Sequence, residues 1–169
     1  IHYLSGIKNP IGLKVGPSTD LGQLKKNIEI LNPHNEEGRL TLIVRMGANK
    51  ISEVFPKLLN EIKSLGQNIT WICDPMHGNT ITSSSGYKTR NSKDVLAEIK
   101  NFFDIHKAEG TIAGGVHLEL TGLNVTECVG GPEDIKDENL GDRYHTFCDP
   151  RLNVNQSLEL CFLLAELFP

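Results

Sequence analysis

The sequence predicts an α/β fold in which about four parallel strand-helix units make half of an eight-unit (β/α)8 TIM barrel, as one portion spanning residues 1–169. Short apolar runs alternate with longer amphipathic stretches, the pattern of a parallel sheet with right-handed crossovers. The chain has 169 residues, short of the ~250 typical of a whole barrel. His77, Glu119 and Asp149, all suited to bind one metal, each follow an apolar run. Side chains at the ends of successive strands converge in this way on a barrel mouth.

In the first unit Ile11–Val15 reads as a strand and Leu21–Leu31 as a helix, with Leu21, Leu24, Ile28 and Leu31 on one face and Asn32-Pro33 as its stop. In the second, Thr41–Met46 leads to Ile51–Leu65, whose Ile51, Val54, Phe55, Leu58, Leu59 and Ile62 form a stripe. Pro56 is expected in the first turn or at a kink, because it brings no N–H to the helix. In the third, Ile69–Cys73 leads through a long polar loop to a helix Lys93–Lys107, begun by Ser92 and ended by Gly110. The fourth is looser. A strand Gly115–Leu120 precedes a Gly- and acid-rich loop Thr121–Asp142, a strand Tyr144–Cys148, and a helix carrying Leu158, Cys161, Phe162 and Ala165. Such a half leaves two strand edges that must be covered. Closure by an N-terminal half or a second chain is therefore expected, and with it a homo-oligomer.

A formal charge of −4 without long like-charge blocks argues against nucleic-acid binding, which needs a basic surface. No apolar run approaches the ~20 residues that cross a bilayer, so no membrane role is expected. The opening IHYLSGIKNP has neither an initiator Met nor a signal segment, which suggests that the true N-terminus lies upstream and leaves targeting unread. Four cysteines without a CxxC pair point to a reducing compartment. Cys73, Cys128 and Cys161 are expected to fill apolar space.

Alternation along the strands sorts the ionisable residues. Ile11, Leu13 and Val15 oppose Gly12, Lys14 and Gly16; Leu42, Val44 and Met46 oppose Thr41, Ile43 and Arg45; Val116, Leu118 and Leu120 oppose His117 and Glu119. The apolar sets suit a helix layer, so Lys14, Arg45 and Glu119 are expected to point into the barrel. Three ionisable groups there are costly unless they bind something. Taken singly, His77 reads as a turn histidine, Glu119 as a salt-bridge partner and Asp149 as the start of an Asp-Pro turn. Together they offer one imidazole and two carboxylates, a set that suits Mn²⁺, Co²⁺, Zn²⁺ or Fe²⁺. Lys14 and Arg45 add cations for a phosphorylated or carboxylated substrate. The loop Thr82–Arg90 supplies hydroxyls with Lys88 and Arg90, a candidate second phosphate site whose plainer reading is a solvated loop.

At GIKNPIGLKVGPS, VRMGANK, CDPMHGNTITSSSGYKTRN, VHLELTGLNVTECVGG and YHTFCDPRLNVNQSLEL the chain resembles the class II (plant and microbial type) DAHP synthases, over nearly its whole length. The likeness corresponds to the C-terminal part of that family, the last four strands of its TIM barrel. It implies metal ligation by His77, Glu119 and Asp149, with Mn²⁺ or Co²⁺ as the usual ion. It further implies that Lys14 contacts phosphoenolpyruvate and that Arg45 holds its phosphate, the second substrate being erythrose 4-phosphate. The family's fourth ligand, a cysteine, belongs to its N-terminal part. Cys148 is expected to face away from its strand neighbour Asp149. The family would place the chain in a bacterial cytoplasm, or in a plastid if the source is a plant. Three further readings stand beside this one: a metal-dependent aldolase or hydrolase on another sugar phosphate, an inactive structural half-barrel, and a binding module for a protein partner.

Overall fold

The computed structural model describes residues 1–168. Strands β1 (Ile11–Val15), β2 (Leu40–Val44), β3 (Thr70–Cys73) and, after the hairpin strands below, β6 (Gly115–Val116) form one parallel sheet whose spatial order follows the chain. Register is fixed by pairs such as Ile11 with Leu40, Leu42 with Trp71, and Cys73 with Val116. A short helix α1 (His2–Ser5) precedes the sheet, and α2 (Leu21–Leu31), α3 (Ile51–Lys63) and α4 (Ser92–Ala108) are its crossovers. A last helix, α5 (Val154–Ala165), follows a long irregular segment. No helix among the described residues is long and apolar enough to cross a membrane.

The period-two pattern decides which strand face is buried. Leu40, Leu42, Val44, Trp71 and Cys73 pack with Leu24, Ile28, Leu31, Ile51, Phe55, Leu59 and Ile62 of the helices. Gly12, Lys14, Thr41 and Ile43 fall on the opposite face, none of them fully buried. Because the strands are parallel, their C-terminal ends lie at one side of the sheet. The first residues beyond them are stitched to the preceding strand: Arg45 N donates to Val15 O (2.9 Å), Asp74 N to Val44 O (2.6 Å) and His117 N to Cys73 O (2.7 Å).

Several elements depart from the sequence reading. Helix α4 is capped by Asn91, whose side chain accepts from Lys93 N at 2.9 Å, and Ser92 is already helical. Pro56 sits in the second turn of α3, where the carbonyl it leaves unpaired belongs to the exposed Ser52. The stretch expected to be a polar loop contains an antiparallel hairpin, β4 (Thr80–Thr82) with β5 (Lys88–Arg90). Strand β6 stops at Val116, and Leu120 meets only Leu152 through an isolated bridge. Tyr144–Cys148 is not a strand, because the amides of His145 and Thr146 donate to the Glu127 carboxylate (3.1 and 2.9 Å) instead of to a ladder. Without that strand, Cys148 does not face away from Asp149; its Sγ is 3.8 Å from Asp149 Oδ2.

Helix α5 is turned the other way from the expectation. Leu158, Cys161, Phe162 and Ala165 are exposed, while Gln156, Ser157, Leu160 and Leu164 are buried. Its polar first turn sets this orientation: Gln156 Nε2 donates to Cys128 O and Gly130 O (3.0 Å each), and Asn153 Nδ2 to Val125 O (3.0 Å). Cys73 and Cys128 do fill apolar space, and Cys161 does not.

One buried histidine links the core to pH. His106 is enclosed by Phe55, Trp71 and Phe102, with ring centroids 5.4, 5.9 and 4.4 Å away, and its Nδ1 is 2.7 Å from Thr111 Oγ1. Burial pushes its pKa down to about 4. The unfolded chain, with a histidine pKa of about 6.5, therefore takes up this proton first as the pH falls. The stability carried by the neutral ring is complete above that value and is lost as the pH falls toward the folded pKa, by about 3 kcal/mol in all. His106→Phe should keep the aromatic packing and remove this loss. Its melting temperature relative to the unmodified chain should rise steadily as pH is lowered through that window. Parallel melting curves would show that His106 carries no such linkage.

A candidate metal centre at the strand ends

The three expected ligands come together. His77 lies in a short 3-10 turn (His77–Asn79) after β3, Glu119 lies beyond β6 with its carbonyl held by Leu152 N at 3.0 Å, and Asp149 lies in the loop before α5. One ligand atom from each falls within 4.8 Å of the others. His77 Nε2 is 3.4 Å from Glu119 Oε1 and 3.8 Å from Asp149 Oδ2.

The imidazole is aimed by a carboxylate absent from the expected site. Asp74, fully buried, has Oδ2 2.7 Å from His77 Nδ1 and accepts Met76 N (3.0 Å) and His77 N (3.2 Å) through Oδ1. The same Oδ2 pairs with Lys14 Nζ. Burial alone would raise the Asp74 pKa, but Lys14 and the His77 amide hold it below the ordinary aspartate value. An ionised Asp74 can only accept, so Nδ1–H of the neutral imidazole donates to it, which leaves the Nε2 lone pair facing Glu119 and Asp149. This is the arrangement that orients metal-binding histidines and raises their basicity.

Two acidic groups so close need a counter-charge, and Arg90 supplies it from behind. Its side chain is completely buried. Nε donates to Met76 O (2.8 Å) and Thr80 Oγ1 (2.9 Å), and Nη1 to Glu119 Oε2 (2.6 Å) and to Pro150 O. Among the described residues Nη2 has no hydrogen-bond partner, and it lies 3.8 Å from Asp149 Oδ1. Asp149 also pairs with Lys88 Nζ, which with Arg90 and His77 keeps its carboxyl below the ordinary value. The Asp149 loop is itself wrapped round Glu127, a buried carboxylate that accepts three backbone amides and the Arg151 guanidinium (Nη2 to Oε1, 2.7 Å).

Lys14, Arg45, His77, Thr80, Lys88 and Asp149 line one open pocket. Of the residues expected to bind substrate, Lys14, Arg45 and Lys88 thus open onto it beside two of the three ligands. Arg90 does not; it stands behind the carboxylates. One imidazole and two carboxylates, with the far imidazole nitrogen anchored on Asp74, fit a divalent cation.

A match to the class-II DAHP synthetase family runs over residues 1–165. The chain belongs to that family. It is 54% identical over 168 residues to "Phospho-2-dehydro-3-deoxyheptonate aldolase" of Streptomyces coelicolor, covering 99% of this chain and 37% of that protein. It is 52% identical to "Phospho-2-dehydro-3-deoxyheptonate aldolase AroG" of Mycolicibacterium smegmatis, covering 99% of this chain and 36% of that protein. The chain therefore spans little more than a third of the length of these relatives.

Within this DAHP synthetase chain, sequence reasoning does not single out Asp74, Glu98 and Glu127, although the first two carry a signal. Asp74 is an acid three residues before a metal-type histidine. Glu98 falls on the buried face of α4 between Val95 and Phe102, where an acid has no reason to be unless it is bonded. Its Oε1 accepts Met46 N (2.7 Å) and Gly47 N (2.9 Å), and its Oε2 accepts Asn79 Nδ2 (2.7 Å). Burial pushes its pKa up to about 7, against the pull of those donors. The two turns that Glu98 joins also touch directly: a Cβ on Gly47 would lie 2.8 Å from Gly78 O, and one on Gly78 2.9 Å from Gly47 Cα.

Proposed function

We propose that this chain is the C-terminal half of the TIM-barrel catalytic domain of a DAHP synthase (3-deoxy-7-phosphoheptulonate synthase), the transferase that opens the shikimate pathway. It would condense phosphoenolpyruvate with erythrose 4-phosphate and release inorganic phosphate. The observation that carries this reading is the single pocket in which Lys14 and Arg45 stand beside His77 and Asp149, with Glu119 3.4 Å from His77. Family membership supports the substrate pair.

His77, Glu119 and Asp149 would hold the ion, with Mn²⁺ or Co²⁺ favoured by the family and Zn²⁺ or Fe²⁺ compatible with the donors. Such an ion would supply Lewis acidity for the aldehyde oxygen of the sugar phosphate or position the attacking water. Lys14 binds the phosphoenolpyruvate carboxylate, and Arg45 presents a planar fork to its phosphate. Held there, C3 of phosphoenolpyruvate attacks the aldehyde carbon, water adds at C2, and the C2–O bond breaks to release phosphate. Asp74 touches both Lys14 and His77, so it fixes the distance between the bound phosphoenolpyruvate and the metal centre. Lys88, on the hairpin, is placed for the phosphate of the second substrate. Arg90 serves by holding the carboxylates in place.

The complete enzyme should release phosphate only when both substrates and Mn²⁺ are present, and should stop when a chelator is added. Arg45→Ala and Lys14→Ala should each lower turnover about a hundredfold or more, the scale for losing a charged group that stabilises the transition state. Unchanged kinetics in either variant would take that residue out of the site, and release without erythrose 4-phosphate would point to a different reaction on phosphoenolpyruvate.

The outer edge of β1 and the exposed Leu158 and Phe162 of α5 support closure against an N-terminal half of the barrel, or against a second copy in a homo-oligomer. Because the chain covers 37% of its Streptomyces relative, a second reading holds for this portion by itself, namely a half-barrel that binds the ion and does no chemistry until it is closed. Its bacterial relatives support a cytoplasmic location.

A further inference from the structure

We infer that Glu98 is a positioning residue that locks the phosphate-binding turn and the metal-binding turn into one unit. The inference rests on the synthase reading only for what the two turns carry; the lock itself is geometric. Arg45 opens the turn after β2, and His77 opens the turn after β3. Glu98 lies on α4, in a different layer, with no exposed surface. Its two oxygens reach one turn each. Oε1 takes the amides of Met46 and Gly47, next to Arg45, and Oε2 takes Asn79 Nδ2, two residues beyond His77.

Asn79 closes the loop of bonds. Its Oδ1 accepts Ala48 N (2.9 Å), and its Nδ2 also donates to Pro75 O (2.8 Å). Five hydrogen bonds therefore cross or brace the junction, and the backbone contact of Gly47 with Gly78 leaves no slack. In the ionised form that its N–H partners favour, Glu98 suits this place because it offers acceptors at both ends and no donor. Glutamine at position 98 must turn its NH₂ group either to two backbone N–H groups or to Asn79 Nδ2, and both choices set donor against donor. The consequence is a buried polar group without a partner and a junction free to slide. Arg45 and His77 would then lose their fixed separation, although among the described residues neither hydrogen-bonds to Glu98.

The test is Glu98→Gln in the full chain, read in two ways. Amide hydrogen exchange reports the lock itself. The amides of Met46, Gly47 and Ala48 should exchange at least about tenfold faster, while those of Ile99 and Phe102 within α4 keep their protection. Titration with Mn²⁺ alone reports the consequence, an affinity about tenfold lower, the lower end of what outer-shell partners of metal ligands contribute. Asn79→Ala, which removes the bonds to Glu98 Oε2, Ala48 N and Pro75 O but leaves Oε1 on Met46 N and Gly47 N, should free the Ala48 amide and shift those of Met46 and Gly47, and the Mn²⁺ affinity, in the same direction by less. It keeps the inference testable if Glu98→Gln does not fold. A uniform rise in exchange over α4 and both turns would reduce Glu98 to a stability residue and overturn the inference. Unchanged exchange in the turns would overturn it too. Failure of the unmodified chain to take up Mn²⁺, with the turns still loosened in the variant, would overturn the synthase reading and leave Glu98 as the lock.

Discussion

Replacing His77 by alanine should lower Mn²⁺ affinity at least about a hundredfold, the largest effect of any single change at the centre. His77 is the only nitrogen donor of the cluster, and its Nε2 lies 3.4 Å from Glu119 Oε1 and 3.8 Å from Asp149 Oδ2. Without it, Glu119 and Asp149 are left as two oxygen donors already engaged by Arg90 and Lys88. Titration calorimetry with Mn²⁺ measures the effect. Asp74→Asn is the informative companion. It keeps the ring but weakens its anchor, and outer-shell partners of this kind contribute about 10- to 100-fold in affinity. The expected order is therefore unmodified chain, then Asp74→Asn, then His77→Ala. A His77→Ala chain that binds Mn²⁺ as tightly as the unmodified one would remove the histidine from the centre.

The second large effect is on stability. Arg90→Met fills similar volume with an apolar chain, yet it strips Glu119 of its counter-ion and removes the guanidinium donors to Met76 O and Pro150 O. Removing one partner from a buried ionic network costs about 3–5 kcal/mol, and the lower end applies because Glu119 and Asp149 keep 28% and 20% of their side-chain surface. A divalent ion offers the same carboxylates a replacement charge. Ligands that bind only the folded state stabilise it by mass action, so Mn²⁺ should narrow the gap in melting temperature between variant and parent. A gap that stays constant with added Mn²⁺ would mean that Arg90 supports the core and not the carboxylates.

Physical periodicity explains what could be read beforehand. Strands β1 to β3 bury one face under helices, so Leu40, Leu42 and Val44 alternate cleanly, and their register follows. The three crossover helices show their apolar stripes for the same reason. The segment from Thr121 onward offers no such period. Its backbone is organised by Glu127, and a side chain that gathers amides from positions 145, 146 and 151 leaves no trace in local spacing. Helix α5 misled for a related reason. Its exposed face is rich in Leu158 and Phe162, while its buried face begins with Gln156 and Ser157, whose bonding partners lie in another loop or in the turn before the helix. At the site, residue types and strand ends were enough to gather His77, Glu119 and Asp149. Whether an arginine faces the pocket or stands behind it depends on the hairpin, and composition could not tell the two apart for Arg90.

The contact between Gly47 and Gly78 bears on how this protein can change over generations. Two backbones that touch without room for a β-carbon cannot take an inserted residue or a larger side chain on one side without a matching change on the other. The hairpin tip at Ser83–Gly86 has open space around it, since a Cβ on Gly86 would meet nothing within 4 Å, although the φ of 86° still favours glycine at that one position. Length and sequence variation should therefore collect at that tip, while the turns bearing Arg45 and His77 are inherited as a pair.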